Sequence, residues 1–134
     1  MLIRSSLALL IALAACKSSS SSTPDGGRQS DAPGPSVVAV TCPDTVPLTV
    51  DAPDSDMKFV FAPASNPITV GDIVMFTTHA AHNVVPDPAA AKTDPGLTVN
   101  QNDTKCLEFT QTGTFGFMCG IHSFKSAITV VIPD

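Results

Sequence analysis

No stretch beyond residue 36 keeps apolar residues at i, i+3 and i+4 for three turns, so the pattern offers no amphipathic helix there. Short β-branched or alternating runs recur instead, punctuated by Pro, Gly and Asp: Val37–Thr41, Val46–Val50, Met57–Ala62, Ile68–Val70, Ile73–Thr78, Asn83–Val85, Lys105–Thr110, Thr114–Cys119 and Ala127–Ile132. Strands of this length and spacing predict an all-β domain over residues 37–134, a sandwich or a barrel. The one long irregular piece runs from Pro86 to Asp103, where three consecutive alanines allow a turn of helix. In Thr114–Cys119, period-two alternation puts Phe115, Phe117 and Cys119 on one face and Gly116 and Met118 on the other. The aromatic face is the core face, so Cys119 is expected to point inward at its strand's end. A buried thiolate there needs a partner, because an unpaired anion in an apolar interior is costly.

The chain ahead of residue 37 is patterned differently. Met1–Ser6 carries one positive charge, Arg4, and Leu7–Ala15 is apolar, closing in small residues at Leu13-Ala-Ala-Cys16. A bilayer-spanning helix needs roughly 20 apolar residues, so residues 1–15 read as an export signal rather than a span. Leu-Ala-Ala-Cys resembles the bacterial lipobox, in which cleavage leaves the cysteine first in the chain and acylated. That resemblance implies lipidation of Cys16 and an exported lipoprotein on the periplasmic face of a membrane. Several acyl chains anchor stably where one binds only marginally. Lys17 is not the aspartate associated in many bacteria with inner-membrane retention, which favours the outer membrane. Residues 16–36, with Ser18–Ser22 and several Pro and Gly, have no apolar periodicity and read as a flexible linker.

Charge narrows the partners. The net charge is −5, or −6 once Arg4 leaves with the leader, and Trp and Tyr are absent. An acidic domain with dispersed basic residues and only Phe to stack on argues against nucleic acid. A folded part of about a hundred residues holds one small core and is marginal without a metal or a disulfide.

The candidate chemistry lies in Cys119-Gly-Ile-His122 and in His82. Cys-x-x-His alone is a weak signal. A structural zinc site asks for four ligands in paired clusters, and Cys16, Cys42 and Cys106 have no partner at two-residue spacing. One thiolate with two imidazoles does suit copper, which favours soft sulfur and imidazole nitrogen. Three segments, Ile68-Thr-Val-Gly-Asp-Ile-Val-Met-Phe76, His82-Asn-Val-Val and Gly113-Thr-Phe-Gly-Phe-Met-Cys119-Gly-Ile-His122, resemble the plastocyanin/amicyanin-like cupredoxins. The likeness extends over nearly all of Val37–Ile132. It implies a Greek-key β-sandwich of about eight strands and one type 1 copper per chain, with His82, Cys119 and His122 as ligands. It also gives Asn83 a supporting bond on the cysteine side of the site, the kind of bond that fixes ligand orientation.

The last loop departs from the pattern. Cys-x₂-His-x₂-Met becomes Cys-x₂-His-x₂-Lys, so Lys125 stands at the expected axial Met position. If Ile128, Val130 and Ile132 set the strand face, the loop is also one residue short. A protonated amine is repelled by Cu²⁺, and burying it unpaired costs several kcal/mol. Lys125 is therefore expected not to ligate and to reach for water. The copper would then be near three-coordinate, with a backbone carbonyl such as that of Ala81 as a distant donor. Setting Cys16 and Cys119 aside leaves Cys42 and Cys106, an even remainder that suggests one disulfide in an exported chain. His79 reads as a solvated loop histidine. Asp51, Asp54 and Asp56 read as a solvated turn, since Pro53 breaks the calcium-loop pattern.

The leading expectation is a monomeric, membrane-tethered carrier of single electrons between redox proteins, and not an enzyme. A copper-sequestering lipoprotein and a copper-free cupredoxin module for protein interaction are the alternatives.

Overall fold

Alternation along the chain becomes two sheets sharing one core in the computed structural model, which describes residues 34–54, 59–64 and 67–134. The strands are β1 Val37–Val40, β2 Leu48–Ala52, β3 Pro67–Thr69, β4 Ile73–Thr78, β5 Val85–Pro86, β6 Thr104–Phe109, β7 Gly113–Met118 and β8 Lys125–Val131. One sheet has the order β1-β6-β4-β2 and the other β3-β8-β7-β5, so the chain crosses repeatedly between them. β2 runs parallel to β4 and β3 parallel to β8; the other pairs are antiparallel. The expected all-β sandwich is what forms, and the described residues contain no helix. The expected leader, Cys16 and Asp56 lie outside the described residues.

The core follows from parity. In β4 the buried positions are Val74, Phe76 and Thr78; in β7 they include Phe115 and Phe117; in β8 they are Ile128 and Val130. Phe76 meets Phe117 at 5.4 Å between ring centroids, and Phe109 meets Phe115 at the same distance, so aromatic pairs join the two sheets. Burying each such ring stabilises by about 1.5–3 kcal/mol, with roughly 0.5–1.5 more for a well-oriented aromatic pair. Gly71, at φ +91°, turns the chain from β3 into β4, where an ordinary residue would be strained.

Several boundaries differ from the expected strands. Phe59, Val60 and Phe61 are outside any strand, and only Ala62 pairs, in a single bridge with Asp51. Pro63 has no N–H with which to continue that ladder. Met57 lies outside the described residues. β5 is only Val85–Pro86, because Val84 turns instead to pair with Val99. β8 starts at Lys125, two residues before the expected Ala127, and Ile132, expected on the core face, is 73% exposed beyond the strand's end. The Pro86–Asp103 loop forms turns rather than helix, with the Ala90 N–H on the Asp87 carbonyl and the Leu97 N–H on the Asp94 carbonyl.

Cys42 and Cys106 form the disulfide, with Cα atoms 5.1 Å apart and a sequence separation of 64. It ties the segment after β1 to the buried middle of β6. A loop of this length predicts stabilisation of about 4 kcal/mol in the chain-entropy account. The double variant Cys42→Ser/Cys106→Ser should lose most of that in urea unfolding; unchanged stability would deny the bridge its role.

Candidate metal centre

Cys119 follows directly on β7 and continues its alternation, so it is fully buried beside Phe117. The loop it opens is closed by backbone bonds at both ends. The Cys119 N–H donates to the Phe124 carbonyl at 2.9 Å, and the Ser123 N–H donates to the Cys119 carbonyl at 2.8 Å. Ser123 has φ +62°, the left-handed conformation, and this reverses the chain immediately after His122. His82 arrives from the β4–β5 connection. Its N–H donates to the His79 carbonyl, and two residues on Val84 and Val99 exchange backbone bonds of 2.9 and 3.0 Å. The His82 side chain is 3% exposed, whereas His122 lies at the surface.

Three donor atoms therefore meet. Cys119 Sγ is 3.8 Å from His82 Nδ1 and 3.9 Å from His122 Nδ1, and the two nitrogens are 3.2 Å apart. The point equidistant from the corners of a triangle with these sides is about 2.1 Å from each, within the ~2.0–2.3 Å that imidazole and thiolate bonds to a first-row metal such as zinc require. The donor chemistry and the spacing both fit a mononuclear ion in a trigonal His₂Cys set, an arrangement suited to copper.

Asn83 lies on the cysteine side of the donor set. Its Oδ1 accepts the Gly120 N–H at 2.8 Å and lies 3.6 Å from Cys119 Sγ. A Cβ at Gly120 would press to 3.3 Å on the Asn83 amide, so glycine permits this close approach. Behind His82, Nε2 lies 3.6 Å from Asp54 Oδ1, and the same carboxylate oxygen accepts the Ala81 N–H at 3.2 Å. His79 is exposed and pairs with Asp51 at 3.0 Å. Asp51 and Asp54 are thus the acidic neighbours of two histidines, not merely a solvated turn.

Solved structures share this architecture. The chain superposes on a reduced amicyanin variant with tyrosine in place of a tryptophan at TM-score 0.55 and 19% identity, covering 72% of this chain and 99% of that one. The amicyanin of Paracoccus versutus (Thiobacillus versutus) gives TM-score 0.54 and 14% identity over the same shares. An oxidised amicyanin variant with lysine in place of a methionine gives 0.52 and 21%, again over 72% and 99%. The chain has a cupredoxin-like fold. No family model and no curated protein matches it.

Within this cupredoxin-like sandwich, Lys125 is the first residue of β8, and its amine is 2.9 Å from Asp87 Oδ1. The expected escape to water is only half realised: the lysine side chain is 51% exposed, and its charge is matched by a carboxylate that is 10% exposed. The Lys125 hydrogen bond, then the Ala89 N–H, hold the Asp87 carboxyl below its ordinary range, against the upward push of burial. Asp87 reaches this place because its loop lies flat on β7. The Asp87 N–H donates to the Gly116 carbonyl, and a Cβ at Gly116 would collide with Ala90 at 2.3 Å. Nothing in local spacing links residues 87 and 125, so a reading along the chain misses the pair.

Two phenylalanines flank the donors. Phe59 lies 4.6 Å from the His122 ring and 6.2 Å from that of His82, and Phe124 lies 5.2 Å from His82.

A carboxyl held low adds stability that is complete above its unfolded value, near pH 4, and is lost as the pH falls through its lower folded value. Asp87→Asn should thus destabilise at pH 7, and the deficit should shrink towards pH 2–3 in chemical denaturation. A deficit independent of pH would reject the ion pair.

Proposed function

We propose that the chain carries single electrons, with one copper ion held by His82, Cys119 and His122, and that it does so as a monomer tethered to a membrane through Cys16. The observation that carries this reading is the donor triangle, sized for one ion and made of one sulfur and two nitrogens. Copper, when bound, would supply a couple between Cu(I) and Cu(II). The chain's part is to keep the donors in one arrangement through that change. Cys119 is anchored at a strand end and His82 is buried, and the backbone bonds at Phe124, Ser123 and Val84 involve none of the ligating atoms. Such support limits rearrangement on gain or loss of an electron. His122 brings the edge of the donor set to the surface, where a redox partner can approach.

A carrier rather than an enzyme is favoured by the histidine inventory. Of three histidines in the chain, two face each other in the triangle and the third pairs with Asp51. An oxidase or reductase would need a second, histidine-rich copper set. The tether is supported by Leu13-Ala-Ala-Cys16 and the Ser, Pro and Gly residues after it, and an outer-membrane location by Lys17.

Purified protein should take up one copper per chain, show an intense visible thiolate-to-copper band and cycle reversibly in voltammetry. Cys119→Ser should abolish the band and keep the far-ultraviolet dichroism of a β-sandwich; a band that survives rejects the ligand. Ready loss of Cu(I) to a chelator without a reversible couple would make the metal cargo, and no uptake at all would leave an interaction module.

Expressed in bacteria from its first residue, the chain should partition into detergent, with Cys16 acylated by mass spectrometry and Cys16→Ser unlipidated. A mature chain with an unmodified Cys16 would remove the tether.

A further inference from the structure

We propose that Phe124, not Lys125, is the side chain on the axial side of the metal position, and that it holds the donor set at three. The inference rests on the copper reading above. Counting forward from His122 places Lys125 at the axial point, but strand register decides otherwise. β7 and β8 pair Phe115 with Ile128, Gly116 with Ala127, Phe117 with Ser126 and Met118 with Lys125. Directly paired residues share a face, and Phe115 with Ile128 marks the core face. Lys125 and Met118 therefore belong to the outer face, where Asp87 already holds the amine at 2.9 Å. One residue earlier, Phe124 falls on the side of Cys119.

The contacts agree with that parity. The Phe124 ring stands edge-on to His82 at 81° and 5.2 Å, and lies 4.6 Å from Phe61 and 6.4 Å from Phe59, which in turn covers His122. Phe61 meets Phe117 at 4.8 Å, so this wall is continuous with the core. A phenyl ring has no lone pair to offer, and packed against a ligand ring it leaves a water molecule little room. The site should then favour an ion content with three soft donors, Cu(I), over Zn²⁺, which seeks four.

Copper uptake by the wild-type chain is measured first; no uptake overturns the proposed function and this inference together. With copper bound, X-ray absorption of the reduced protein should show two nitrogens and one sulfur at bonding distance, and a fourth donor overturns the inference alone. Phe124→Met should add a thioether and change both the electron-spin-resonance hyperfine splitting and the ratio of the visible bands. Lys125→Met should reproduce the wild-type spectra. Phe124→Leu, apolar and less disruptive to packing, should also keep the three-donor spectrum. A changed spectrum for Lys125→Met, or an unchanged one for folded Phe124→Met, overturns the assignment of Phe124.

Discussion

Six residues of β7 pair with β8 in antiparallel register, and a slip of one residue would turn every side chain of one strand to the opposite face. Phe115, Phe117, Ile128 and Val130 make such a slip expensive, since it would bring buried apolar groups out to the surface. That register also sets which side chains face inward at the strand end. With Phe117 inward, Cys119 is inward; with Ile128 inward, Lys125 is outward and Phe124 is left facing the His82 ring. The core and the candidate metal centre are two results of one alignment.

Residues far apart in sequence complete the arrangement without touching the donor atoms. Gly116 lets the loop around Ala90 lie against β7, and that loop delivers Asp87 to Lys125. Gly120 lets the Asn83 amide reach the backbone just past Cys119. Both glycines serve as places where another segment comes close. The Lys125–Asp87 pair is partly exposed, so its energetic contribution is modest. Its larger effect is positional, because it occupies the amine that stands first in β8.

Much of this was legible along the chain. Period-two alternation in Thr114–Cys119 already turned the thiol inward, and the even remainder of cysteines named the pair that forms the disulfide. The conflict at Lys125 was visible too, because counting forward from His122 and counting back from Val130 disagree by one position. Only the pairing of β8 with β7 decides which count applies. The Phe59–Ala62 segment misled because its apolar residues looked like strand residues. They act instead as a cover near the imidazoles and as a plug over Phe117. Asp87 left no trace in the pattern, as its partner is 38 residues away.

The uneven exposure of the three donors has a kinetic meaning. Cys119 and His82 are closed off from solvent, while His122 stands at the surface. An ion arriving from outside can meet His122 before either of the others, and a departing ion leaves past it last. Loading and loss of an ion at this donor set would thus be ordered, with His122 the first contact on entry and the last on exit.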